Sequence, residues 1–213
     1  MKPILTALLI VLAASLAKAT MVDTQSFTTT YNNGGIVPVG SPVGTVFTGD
    51  FTAAATGNQV LGITVNLSVS GGYNGNLYAY LVAPNGTMVL LLNRPGAVGN
   101  SMGYAGSGFN GITLSDAGTQ NIQTTWETPG AQVTGTYNAA GGSSALNAFN
   151  GSSANGNWEL FFADMVKGGG TSTVTGWSLN ITVVPEPVTL ALGVFAAMLL
   201  ALAGLRRLWQ TQK

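Results

Sequence analysis

The chain has 213 residues, no histidine and no cysteine, and its seven basic and seven acidic side chains cancel. Without His or Cys, Ser-His-Asp and Cys-His catalysis, ordinary zinc sites and disulfide stapling are excluded. Charged residues make up only 7% of the chain, which leaves no basic footprint for nucleic acid.

In chain order, Lys2 gives a short positive start, Ile4 to Leu16 is mostly apolar, and Ala17-Lys18-Ala19 fits a small-x-small processing site. This order predicts a secretory signal peptide over residues 1–19, cleaved after Ala19 by signal peptidase, so that the mature chain starts at Thr20 outside the cytoplasm. An apolar run of about 13 residues is too short for a second membrane span. From Thr20 to Val184 the charged positions are Asp23, Asp50, Asp116, Glu127, Glu159 and Asp164 against Arg94 and Lys167, so the exported region carries −4 although the precursor is neutral.

Residues 20–49 contain Asn32-Asn33-Gly34-Gly35 and two prolines, and read as an irregular lead-in with room for an edge strand. From Leu61 to Val69 every odd position is apolar (Leu61, Ile63, Val65, Leu67, Val69), which predicts a half-buried strand. Leu77, Ala79 and Leu81 repeat the period with Tyr78 and Tyr80 on the other face. Ala83-Pro84-Asn85-Gly86-Thr87 has the chemistry of a reversing turn, and Met88 to Leu92 returns as the partner strand. Pro95 to Gly111 is rich in glycine and reads as a long loop with Phe109 as a plug into the core. Later, Trp158, Leu160 and Phe162 alternate, as do Trp177, Leu179, Ile181 and Val183, with Gly168-Gly169-Gly170 between them as a turn. Short strands separated by glycine-rich turns, with no helical period between Thr20 and Val184, predict an all-β antiparallel sandwich over residues 50–184.

The chain ends on Pro185-Glu186-Pro187, an uncharged run of 18 residues from Val188 to Leu205 with six leucines, and then Arg206-Arg207 and a short tail to Lys213. As a helix the run is about 27 Å long, close to the bilayer's hydrocarbon thickness. A transmembrane helix over 188–205 is predicted, with Arg206, Arg207 and Lys213 holding the C-terminus on the cytoplasmic side.

Two family resemblances follow from these residues. The ordered trio of Pro185-Glu186-Pro187, apolar helix and Arg206-Arg207 at the C-terminus resembles the PEP-CTERM sorting signal, found on exported proteins of Gram-negative bacteria that make extracellular polysaccharide. The resemblance implies residence in the inner membrane in transit and cleavage at or near the triplet by an exosortase-type membrane peptidase. The mature protein would then pass to the cell surface or the medium. The run from Gly72-Tyr73-Asn74-Gly75-Asn76-Leu77 to Ala83-Pro84-Asn85-Gly86-Thr87 is similar to the "GDLxxxLxSPxGT" hairpin of P domains, also called Homo B domains. Phe149-Asn150-Gly151, Gly156-Asn157-Trp158-Glu159-Leu160, Asp164 and Gly176-Trp177-Ser178-Leu179 resemble that family's closing motif. This second resemblance covers Asp50 to Val183. It implies a jelly-roll sandwich with Trp158 and Trp177 between the sheets and Asp164 accepting N–H bonds from the turn that follows. It also implies a non-catalytic role, because in its relatives the domain follows and supports a subtilisin-like protease. Here no room is left for a preceding protease, so a stand-alone exported module is expected. Asn76 replaces the family's usual Asp.

No catalytic residues are expected. A Ser-Lys dyad would need Lys167, which is flanked by glycine, whereas an activated lysine must be desolvated. Glu159 and Asp164, five apart on one predicted strand, face opposite sides of it. No cofactor is expected either. Calcium is the one metal whose hard-oxygen chemistry the composition allows, yet it takes six to eight oxygens and the acids are scattered singly. The reading that results is a non-enzymatic surface or matrix protein associated with extracellular polysaccharide. Its alternatives are a carbohydrate- or protein-binding module using Tyr73, Tyr78, Tyr80 or Tyr104 as stacking platforms, or an accessory to a separate subtilisin-like protease.

Overall fold

The period-two alternation becomes two stacked sheets in a computed structural model, which describes residues 25–31, 33–52, 58–99, 101–125, 128–185, 193–202 and 204. The strands are β1 (Gln25–Tyr31), β2 (Gly35–Ile36), β3 (Ser41–Phe51), β4 (Asn58–Ser70), β5 (Leu77–Val82), β6 (Met88–Asn93), β7 (Gly108–Leu114), β8 (Thr136–Tyr137), β9 (Gly156–Asp164) and β10 (Thr173–Pro185). One sheet has the order β1-β10-β4-β7-β8, with β2 also on β10, and the other has the order β3-β9-β5-β6. Among the described strands only the β7–β8 pair is parallel. The chain is thus an all-β sandwich, as its turns and alternation predict.

Alternate residues of both sheets meet in the core. Val65, Leu67 and Val69 of β4 and Trp177, Leu179 and Ile181 of β10 face Leu77, Ala79 and Leu81 of β5 and Trp158, Leu160 and Phe162 of β9, all buried. Burying each of the larger side chains stabilises the fold by about 1.5–3 kcal/mol. Both tryptophans bring a polar edge that must find an acceptor. Trp158 donates its Nε1–H to the Ala154 carbonyl at 3.0 Å and meets the Phe149 ring edge-on, centroids 5.1 Å apart. Trp177 donates to Asn33 Oδ1 at 2.9 Å and lies 4.2 Å from the Tyr31 ring.

The structure departs from the sequence expectation in three places. Thr182 pairs with Gly62 but Val183 pairs with Val60, so Leu61 is an extra residue in β4. This bulge reverses the alternation, and Val60 is buried while Leu61 is 50% exposed. Leu61 therefore does not face the core. The expected irregular lead-in supplies three strands instead, with β1 pairing along its length with β10 and β3 with β9. Its pattern is obscured because Val43 and Val46 point to solvent. Within the expected long loop, β7 begins at Gly108, and Phe109 is indeed a core plug at 1% exposure. Asn110 and Gly111 form a bulge between Phe109, paired with Val69, and Ile112, paired with Leu67. Gly111 supplies the left-handed φ of 64° that this bulge needs.

Residues 193–202 are helical, and among the described residues no helix is long and apolar enough to cross a membrane. Residues 188–192, 203 and 205 of the expected span lie outside the described residues. So do the expected signal peptide 1–19 with Ala17 and Ala19, and Glu186, Pro187, Arg206 and Arg207.

Candidate functional site

Pro185, the first residue of the expected sorting triplet, is the last residue of β10, paired with Asn58 of β4.

The residues singled out for chemistry do not converge. Glu159 is exposed on the outer side of β9, whereas Asp164 at the end of that strand is fully buried. Lys167 is exposed in the turn after β9, its stem lying over Gly40.

Asp164 instead forms a buried polar node with Asn76, where β9 ends between Ser41 at the start of β3 and Leu77 at the start of β5. Asp164 Oδ1 accepts the Val166 N–H at 3.1 Å, as the sequence resemblance implied. Asn76 Nδ2 donates to the carbonyls of Gly168 at 3.0 Å and Val166 at 3.4 Å, and the Asn76 carbonyl accepts the Met165 N–H at 2.8 Å. The pair thus staples the turn after β9 to the start of β5. Two atoms make no well-formed hydrogen bond, Asp164 Oδ2 and Asn76 Oδ1, although the Gly40 N–H and the Asn76 amide lie close to the carboxylate. Burial pushes the Asp164 carboxyl up, and N–H groups of Val166, Gly40 and the Asn76 amide pull it back down. As a calcium site the node is poor. Two such oxygens fall well short of the six to eight a calcium shell takes, and the Asn76 amide hydrogens already cover the nearby carbonyls. Among the described residues no three metal-ligating side chains come together.

The tyrosines are engaged with the protein itself. On the outer side of the β3-β9-β5-β6 sheet, Tyr80 stacks on Phe161 with centroids 4.5 Å apart and planes 12° apart, and Tyr78 meets both rings edge-on. Neighbours in register extend this cluster to Val46 on β3 and Leu90 on β6, giving that sheet an aromatic and aliphatic outer face. Tyr73 lies against Gly169, and the Tyr104 ring covers Gly96, where an added Cβ would stand 2.5 Å from either ring. The face of Tyr80 is therefore covered by Phe161, and Tyr73 and Tyr104 pack over glycine backbone.

The opposite sheet carries an open groove of about 270 Å³, lined by Thr64, Asn180 and Thr182 from the strands and by Ser115, Asp116 and Asn147 from adjoining loops. No sequence signal pointed to it, because its residues come from four separate segments. Its loop wall is tied in place. Asp116 Oδ1 and Oδ2 accept the N–H groups of Leu146 and Asn147 at 3.1 and 2.9 Å, holding the 3₁₀ turn Leu146–Phe149. The Ser115 carbonyl accepts from Asn138 Nδ2 at 3.0 Å.

With the sandwich and its hairpin in place, comparison with known families is decisive. The family model for the proprotein convertase P-domain matches residues 60–181, more than half of the chain. The chain belongs to the P-domain family. The matched segment holds the β5–β6 hairpin, both buried tryptophans and the Asn76–Asp164 node. A P domain is a non-catalytic accessory domain. Among solved structures, this P domain is similar to the serine protease of Aeromonas sobria in complex with its chaperone. The TM-score is 0.51 at 16% identity, over 82% of this chain and 30% of that one. The same protease solved without the chaperone gives a TM-score of 0.47 at 17% identity, over 75% of this chain and 27% of that one. The chain thus spans less than a third of the proteases it resembles, and the likeness is one of fold. No curated protein sequence matches significantly.

Proposed function

We propose that this P domain is a non-enzymatic module exported to the cell surface or extracellular polysaccharide layer. In this reading its C-terminal segment is a sorting signal, cut near Pro185-Glu186-Pro187 by an exosortase-type membrane peptidase after passage through the inner membrane. The observation that carries it is the order at the C-terminus: β10 ends at Pro185, and the triplet, the uncharged run 188–205 and Arg206-Arg207 follow without a break. Cutting there would leave every core residue of β10 up to Val183 inside the sandwich. The absence of His and Cys supports a non-catalytic role.

The experiment is the intact mass of the protein from medium, outer membrane and inner membrane. A species starting near Thr20 and ending near Pro185, outside the inner membrane, is expected. A species still ending at Lys213 in the inner membrane makes the tail a plain anchor and ends the sorting-signal reading. A second reading, an accessory domain acting on a separately encoded subtilisin-like protease, is favoured by the family match. It requires that such a protease co-purify with the domain and that deletion of the domain lower secreted proteolysis.

A further inference from the structure

The outer face of the β1-β10-β4-β7-β8 sheet is a lattice of uncharged hydroxyl and amide groups. One row crosses all five strands in register: Thr30 with Ser178, Ser178 with Asn66, Asn66 with Thr113, and Thr113 with Thr136. All five side chains lie on the solvent side of the core. At about 4.8 Å per strand the row is roughly 19 Å long. Its centre is fixed, since Asn66 Nδ2 donates to Ser178 Oγ at 3.1 Å and Asn66 Oδ1 accepts from Thr113 Oγ1 at 2.7 Å. The neighbouring row, Thr28, Asn180 and Thr64, is also in register and runs into the groove described above.

We propose that this face binds a strand of neutral polysaccharide, seated in the groove between Thr64, Asn180 and Asn147 and continuing along the threonine rows. The inference rests on the extracellular reading of the protein and gives it a binding site. Charge selects the ligand class. The exported region carries −4, which disfavours an anionic polymer, and Asp116, the only charged residue among the described residues lining the groove, already accepts two backbone N–H groups. An apolar ligand would instead choose the opposite sheet, where Val46, Phe161, Tyr80 and Leu90 line up. Hydroxyls and amides exchange hydrogen bonds with water for equivalent ones with sugar, so each contact gains little. A lattice wide enough to touch several residues of one chain compensates by multivalency. The tied loop wall lowers the ordering cost on binding.

The test is affinity electrophoresis of the mature exported protein through gels containing dextran or galactan, with alginate as the anionic counterpart. Retardation by a neutral polymer, reduced at least fivefold in the variant Thr64→Val with Asn180→Ala and unchanged by Tyr80→Leu, is the expected result. Near-UV circular dichroism verifies that each variant is folded, and the single Thr64→Val, which removes one hydroxyl at constant shape, serves if the double variant is not. Retardation that survives the groove variants but is lost in Tyr73→Ala or Tyr78→Ala overturns the placement and leaves glycan binding standing. Retardation by alginate alone, or by no polymer, overturns the inference itself. The export reading is decided separately by the masses of the fractionated protein.

Discussion

Asp164→Asn is expected to raise stability at neutral pH, although it alters a fully buried residue shared with the family's motif. In the native state one carboxylate oxygen of Asp164 accepts the Val166 N–H, while the other makes no well-formed hydrogen bond, although the Gly40 N–H and the Asn76 amide act on the carboxylate from nearby. Burial raises its pKa above the usual carboxylate range. A carboxyl whose pKa is raised on folding favours the folded state while protonated, and that contribution is lost as pH climbs from the ordinary value through the folded one. Leaving a buried charged oxygen without a well-formed hydrogen bond costs about 1–3 kcal/mol. The neutral amide keeps the acceptor for Val166 and removes the charge, so a gain of about 1 kcal/mol at pH 7, disappearing near pH 4, is expected. Urea unfolding of both proteins at a series of pH values measures it, and the difference between them cancels every other titrating group. Asp164→Ala, which leaves the Val166 N–H without its acceptor, should lose about 1–3 kcal/mol at both pH values. If Asp164→Asn loses more than about 1 kcal/mol at pH 7, the Gly40 N–H and the Asn76 amide outweigh burial and hold the carboxylate charged, and the reasoning fails.

Tyr31 is pushed up to about 12 by burial and by the Asp50 carboxylate. Its contribution to stability should hold below pH 10 and be lost as pH rises toward 12, and a phenolate absorbance titration should show one tyrosine titrating only as the protein unfolds. Leu61→Thr should change stability by less than about 0.5 kcal/mol because the bulge turns Leu61 outward, whereas Val60→Ala should cost about 1–3 kcal/mol in the same urea assay. Gly49→Ala would place a Cβ 2.4 Å from the Tyr31 ring. It should cost about 1–3 kcal/mol and weaken the near-UV signal of the Tyr31–Trp177 pair.

The core strands were legible because each has one wet and one dry side. Ile63 to Val69, Leu77 to Leu81, Trp158 to Phe162 and Trp177 to Val183 all keep their period and all bury the expected set. The turn chemistry of Pro84-Asn85-Gly86 and the N–H acceptor role of Asp164 were equally local, hence readable. What failed was register. A single bulge moved Leu61 to the outside, and another split Phe109 from Ile112, so β7 looked like loop. For β1 and β3 the sequence allowed only one edge strand, because their partners, β10 and β9, lie far along the chain and Val43 and Val46 face solvent. That Tyr80 stacks on Phe161 was not legible, because the two lie on different strands far apart in the chain. The threonine rows and the groove were invisible for the same reason: Thr30, Ser178, Asn66, Thr113 and Thr136 become neighbours only once five strands are aligned.

The place of β10 also sets the order in which the protein can fold. It is the last of the described strands, yet it lies inside its sheet, flanked by β1 and β4. Gln25 must wait for Val183, and Leu67 for Trp177, before either finds its cross-strand partner. Sheets built on such distant pairings form slowly, because the intervening chain must be ordered before the pairing rewards it. Without β10, β4 and β7 lack the strand that joins them to β1. The first sheet therefore closes onto β1 only once β10 has been delivered.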